Sequence, residues 1–449
     1  MDRMDRLGPG DVRTSARGAW LLDQIVTLGT LVLKDLGGDR AGEVAAHRYL
    51  SSPYVTSQGV LEALGSRTGE ACAGRRVVAA QDTTEISFSG KLAGGRGLGP
   101  GGDGKSAGFF IHAVVAIDAE DEAVLGVAGA RIWSRGAPLI HRGKRPVEAK
   151  ESRRWSEGSQ IAADQLGAAS QVVVVGDQEA DIYSHFARRS PRVELLVRAR
   201  HDRGLVDGGR LFERSAGWAA HTEVLVAVAP RGPGDKGRVA QVTIRSNRVE
   251  VARPVGAEAG DPASLELGLV EVSEPNPPQG VKPLLWRLIT TLPVEGAEAA
   301  REVVRLYRLR WRIEEVFRAL KSDGLRLEET QVRDPVRVFR LAALALGAAA
   351  RIIQLVDARD GGRRPMSDVL DPTFTQAAAA LSRSREGGSA RQKNPHAEGS
   401  LAWIAWVVAR YGGWNCYGKP PGPKTMAKGW ERFAATLAGF VIATADAVV

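Results

Sequence analysis

The chain has 449 residues, 44% of them hydrophobic and 25% charged, with a formal net charge of +9. This length suffices for about two to four domains with at least one large core, and the ordinary composition sets aside disordered and fibrous classes. The positive balance suits a polyanionic partner, because Lys and Arg neutralise phosphates and release their counterions.

Only Cys72 and Cys416 are present, far apart in sequence. They exclude a disulfide framework or a cysteine zinc site and fit a reducing compartment. The seven histidines form no HxxxH or HxxH pair, which argues against a histidine metal site. No charged-then-apolar secretory leader is visible. The apolar stretches at 341–356 and 433–449 are short and contain Arg351 or Asp446, so no membrane span is expected. The expected location is cytoplasmic.

Residues 1–75 read as helices, with AWLLDQIVTLGTLVL, AGEVAAHRYLSS and VTSQGVLEALG separated by turn residues, a pattern compatible with a small DNA-binding unit. From about residue 76 the pattern changes to strands: RVVAAQDTTEISFSG, GFFIHAVVAIDAE and AVLGVAGARIWS. Between the first two, Gly99–Ser106 (GPGGDGKS) formally matches a phosphate-binding loop. Such a loop needs a helix after it, whereas a strand-like segment follows, so a hairpin loop is expected. VEAKESRRWSEGSQIAADQLGAA reads as a helix and QVVVVGD as a buried strand, followed by a helix DIYSHFARR and a strand VELLVRAR. These make a mixed α/β sheet. Residues 202–285 read as an inserted β region, PLLWRLITT as a further strand, and 296–321 as one helix. Beyond about 360, DARDGGRRPMSD and SRSREGGSARQKNPHAEGS are linker-like among helical segments. The expected division is a helical unit over 1–75, an α/β unit over 76–360 and a helical unit over 361–449.

Within the 296–321 helix, Tyr307, Arg310, Glu314 and Lys321 fall within roughly 60° of one another at 100° per residue. Leu306, Leu309, Ile313, Val316, Phe317 and Leu320 form a separate apolar face. Charged residues three and four apart are common on solvated helices, so the stripe alone does not make a site. Its weight comes from two other acids. Asp82 follows the apolar run VVAA, and Asp177 follows VVVV at the carboxyl end of a buried strand, where functional groups of α/β sheets collect. Asp82 could also mark a turn, and Asp177 could cap the next helix. Asp82, Asp177 and Glu314 brought together would repel unless neutralised. Oxygen-only donors favour Mg²⁺ or Mn²⁺, and two such ions suit phosphodiester chemistry.

The spacing Tyr-x2-Arg-x3-Glu-x6-Lys in YRLRWRIEEVFRALK, with QDTTEISFSG at Asp82 and GDQEADIY at Asp177, resembles the DDE transposases of bacterial insertion-sequence family four. GFFIHAVVAI, KESRRW, HRYLSSPYV and the late GPKT segment match in order. The resemblance implies an RNase H-like mixed-sheet core with a β insertion, an N-terminal DNA-end-binding domain and a C-terminal helical dimerisation region. It implies that Asp82, Asp177 and Glu314 are catalytic and hold two Mg²⁺ ions, with Mn²⁺ as a substitute. Tyr307, Arg310 and Lys321 would contact the transposon-end backbone, and Trp286 would stack on a flipped base. The implied activity is cut-and-paste transposition through a hairpin intermediate. The implied partners are double-stranded DNA (transposon ends and target) and a second copy of the chain in a homodimer acting at the nucleoid. The chain departs from the family at Gln178, where an arginine is usual, and is short before PGDVRTSAR. The alternative is a non-catalytic DNA-binding protein that inhibits transposition.

Overall fold

The computed structural model describes residues 11–88, 96–104, 106–136, 151–228, 237–258, 260–321, 324–362, 364–370 and 372–445. Helices α1 (Val12–Leu28), α2 (Leu33–Gly37), α3 (Arg40–Ser51) and α4 (Ser57–Ala71) come first. Asp11 starts α1 by accepting from the N–H groups of Arg13 and Thr14; Gly29 ends it in the left-handed region at φ 59°, where the missing Cβ removes the steric cost.

Strands β1 (Arg76–Phe88), β2 (Ala107–Asp118) and β3 (Val124–Trp133) form an antiparallel meander. Helix α5 (Arg153–Gln165) leads to β4 (Gln171–Gly176), and α6 (Tyr183–Ala187) to β5 (Glu194–Arg198). β4 runs parallel to both β1 and β5. After α7 (Leu211–Ala216) come β6 (Thr222–Val228), β7 (Arg238–Ala252), β8 (Ser264–Ser273) and β9 (Leu285–Thr290). All nine strands join one sheet in the order β3-β2-β1-β4-β5-β9-β8-β7-β6. The mixed α/β expectation holds, and the inserted β strands widen the same sheet by pairing through β9. The GPGGDGKS segment leads directly into β2, with Pro100 bridged to Ala107, as a hairpin requires; Lys105 lies outside the described residues. The helix expected over 147–169 is shorter, and its first four residues likewise lie outside them.

The remaining helices are α8 (Gly296–Arg308), α9 (Arg312–Leu320), α10 (Pro335–Ala358), α11 (Thr375–Arg385), α12 (Leu401–Tyr411) and α13 (Pro423–Ala445). The single helix expected over 296–321 is therefore corrected to two, α8 and α9, joined by a 3-10 turn at Leu309–Trp311. No Gly or Pro breaks the sequence there. The turn carries Arg310 onto β1, and that tertiary contact overrides a favourable helical propensity.

The period of two along β1 and β4 divides the core. Val77 and Ala79, with Val172 and Val174, pack in one cluster with Trp155 and Ala162 of α5. Val78 and Ala80, with Val173 and Val175, pack in the other with Ile313, Val316, Phe317 and Leu320 of α9 and with α10. Each of those α9 side chains contributes roughly 2 kcal/mol by burial. α10 extends the apolar stretch at 341–356 to 24 residues. By length and composition it could cross a membrane, yet 83% of its apolar window is buried inside the fold, as in a central core helix. α1 packs on α10 and α13, and α4 on β3. The linker-like stretch after α10 is pinned: buried Arg364 donates to the carbonyl of Val124 at 2.5 Å and to Asp368 at 2.7 Å.

Candidate active site

β1 pairs with β4 from Arg76↔Gln171 to Ala80↔Val175. Carrying that register two residues further sets Asp82 level with Asp177, where β4 has ended and β1 continues alone with β2. Both acids keep the parity of Val78, Ala80, Val173 and Val175, so they lie on the face covered by α9. Asp82 is within a strand, opposite Ala113, and is not in a turn. Asp177 does cap a short 3-10 turn, Gln178–Ala180, accepting the N–H of Glu179 at 2.8 Å. A cap and a site acid are thus the same residue here.

The stripe comes down on these acids. Arg310 Nη1 donates to Asp82 Oδ2 at 2.6 Å and lies 3.9 Å from Glu314 Oε1. Burial pushes the Asp82 carboxyl up to about 6; Arg310 opposes this, and the charges of Asp177 and Glu314 add to it. The guanidinium of Arg310 is held charged above its ordinary value by Asp82, Tyr307, Asp177 and Glu314, against its own burial. Its buried Nε has no hydrogen-bond partner among the described residues. Tyr307 is buried, which raises its phenol, and Arg310, Arg198 and Asp177 all lie within electrostatic range of it. Lys321, one residue beyond α9, donates to the carbonyl of Glu85 at 2.8 Å and pairs with Glu328 at 3.2 Å. Trp286 on β9 sits beside Tyr307, ring centroids 5.9 Å apart.

The structure therefore brings Asp82, Asp177, Glu314, Tyr307 and Arg310 into one field, with Trp286 and Lys321 at its margins. Among the described residues, no three His, Cys, Asp or Glu side chains are gathered closely enough to hold a metal ion. Arg310 supplies the countercharge to Asp82 instead. Three carboxylates, the most buried with its proton affinity raised first by burial and then by the other two, are the donor type that a divalent cation takes. Gln178 is exposed at the edge of this field and donates to the carbonyl of Ala199 at 3.4 Å.

Sequence reading missed the polar residues beneath the acids. Gln81, Thr83, His112, Arg154, Ser159 and His185 meet on the α5 side of β1. The one available signal was Gln81 itself, a long polar side chain directly after four apolar residues and wholly buried.

Residues 144–351 match the family model described as the transposase DDE domain. That span holds Asp177, Trp286, Tyr307, Arg310, Glu314 and Lys321, while Asp82 precedes it. Asp82 is tied to the matched span by strand register and by the ion pair with Arg310. The match and this geometry together support a DDE transposase, an enzyme class whose DDE domain is RNase H-like.

Proposed function

We propose that this chain is a cut-and-paste transposase of insertion-sequence family four, with Asp82, Asp177 and Glu314 as its catalytic acids. One observation carries the reading: two acids level with each other where β1 and β4 part, with Glu314 on the helix covering that same face. Asp82, Asp177 and Glu314 would hold two divalent cations, Mg²⁺ or Mn²⁺, which when bound neutralise the carboxylates and activate an attacking oxygen. Arg310 has a role on either side of that event. It offsets Asp82 in the free protein and, once displaced, is placed to meet a phosphate oxygen. Tyr307 and Lys321 flank it as further backbone contacts. Trp286, half-buried with the Tyr307 ring beside it, offers a face for a base turned out of the duplex.

The reaction is a series of in-line displacements at phosphorus. Water cuts the strand at the transposon end; the freed 3′-hydroxyl attacks the opposite strand and closes a hairpin. A second water opens the hairpin, and the 3′-hydroxyl then attacks target DNA. One site can serve every step because each has the same geometry. The net charge of +9 suits double-stranded DNA as partner. The helical units over 1–75 and 361–449 are proposed for end binding and homodimerisation, and the nucleoid in the cytoplasm as the place of action.

The test is an excision assay with the inverted repeats flanking the gene, in Mg²⁺ and in Mn²⁺. Hairpin-ended transposon fragments, released from the flanking donor DNA, are the expected product. End binding without any strand cleavage would instead return the reading of a DNA-binding inhibitor.

A further inference from the structure

The six polar residues on the α5 side of β1 form a chain of hydrogen bonds that closes through Glu179 and the carbonyl of Ala180. Arg154 Nε donates to Thr83 Oγ1 at 2.9 Å, and Thr83 Oγ1 lies 2.8 Å from His112 Nδ1. His112 Nε2 is 3.1 Å from Gln81 Oε1, and Gln81 Nε2 donates to Ser159 Oγ at 3.3 Å. Ser159 Oγ is 2.6 Å from His185 Nε2, whose Nδ1 is 3.3 Å from the carbonyl of Ala180. Arg154 Nη2 also bonds Glu179, next to Ala180, which completes the ring. Gln81, His112, Ser159 and His185 are all at least 96% buried.

With both imidazoles neutral, as their burial favours, donor and acceptor counting sets every proton in this ring. A carbonyl only accepts, so His185 carries its proton on Nδ1 and accepts at Nε2 from the Ser159 hydroxyl. Ser159 then has only lone pairs left for Gln81, so the amide nitrogen of Gln81 faces Ser159 and its oxygen faces His112. His112 must donate from Nε2, which leaves Nδ1 to accept from Thr83, and Thr83 accepts from Arg154. Both imidazoles are neutral and of opposite tautomer. Burial holds both rings well below the ordinary histidine range.

The residues tied by the ring are the neighbours of the two strand-end acids. Gln81 and Thr83 bracket Asp82, and one imidazole holds both. Glu179, gripped by Arg154, donates its backbone N–H to Asp177. We propose that Thr83, His112 and Arg154 are positioning residues that fix Asp82 relative to Asp177 through the opposite face of the sheet. The proposal rests on the transposase reading, and its tests are chosen to fail separately from it.

The first test uses the full chain labelled with ¹⁵N-histidine. His112 should show the Nε2–H tautomer and His185 the Nδ1–H tautomer from pH 5 to 8, each assigned by its single Gln variant. An imidazolium at either position, or the same tautomer at both, overturns the ring. The second compares Thr83→Val, which removes the link, with Thr83→Ser, which keeps it. Thr83→Val should lower kcat for end cleavage by roughly tenfold with end affinity unchanged, and should raise by a similar factor the Mn²⁺ concentration that elevates the thermal midpoint. Thr83→Ser should restore both. No change in Thr83→Val, or equal loss in the two variants, overturns the positioning role. If the unaltered chain cuts no DNA, the transposase reading fails and the tautomers still decide the ring.

Discussion

The two faces of β1 around Asp82 handle buried polarity in opposite ways. On the α5 side, six side chains are linked by hydrogen bonds that end on Glu179 and the carbonyl of Ala180, and their single charge, Arg154, is paired with Glu179. On the α9 side, three acids face one well-placed cation, and Asp82 is left with its proton affinity raised. The first arrangement is finished without a ligand. The second is not, and an unfinished charge balance at a strand end is where a bound cation or phosphate contributes most.

Substituting the acids is the hardest blow to that contrast. Asp82→Asn, Asp177→Asn or Glu314→Gln should each cut strand cleavage by roughly 10³-fold or more, with end binding retained in a gel-shift assay. Robust Mg²⁺-dependent cleavage by any of the three would remove it from the site. Trp286→Ala should slow hairpin closure by about tenfold, from the loss of about 1–3 kcal/mol of stacking, and leave first-strand nicking nearly unchanged; equal slowing of both steps would count against base flipping.

The ring side can be broken from α5. A Cβ at Gly158 would lie 2.2 Å from Gln81 Oε1 and 3.2 Å from His112 Nε2. Gly158→Ala should therefore cost about 1–3 kcal/mol in denaturant unfolding, against the gain of about 1 kcal/mol that a helix interior normally gives. A stabilised variant would show that the ring is loose. The acid side has a subtler signature. Asp82 has a raised folded value, so the native state holds the extra proton between about 4 and 6, and stability falls as pH rises through that window. Asp82→Asn removes the effect, so its stability relative to the parent should improve by about 1–2 kcal/mol between pH 4 and 6 and stay level above. A flat difference across that range, measured without divalent cations, would contradict the burial of this carboxylate.

Much of this site was legible because its members announce themselves. Asp82 and Asp177 end apolar runs, and Glu314 sits at fixed helical offsets from Tyr307, Arg310 and Lys321. The mixed sheet was equally readable from alternation and apolar runs. The 3-10 turn at Leu309–Trp311 was not, since its cause is a contact with a residue more than two hundred positions away. The widening of the sheet by β6, β7 and β8 depends on pairing through β9, which no local pattern reports. The ring was hidden for the same reason. Gln81 alone stood out, and its partners come from elsewhere in the chain: His112 through the register Thr83↔His112, Ser159 from α5 and His185 from α6.

That register has a consequence for how the chain can go wrong. A strand shifted by one residue presents the opposite set of side chains to each face. In β1 such a slip would turn Asp82 under α5, against His112 and the edge of Trp155, and send Gln81 or Thr83 to the cation side. A carboxylate there would face a neutral imidazole and an indole, while the ring would lose two of its links. A mispaired β1–β2 hairpin is thus penalised on both faces at once, and a single-codon deletion within 84–87, between Asp82 and the connection to β2, should be as damaging as the loss of Asp82 itself.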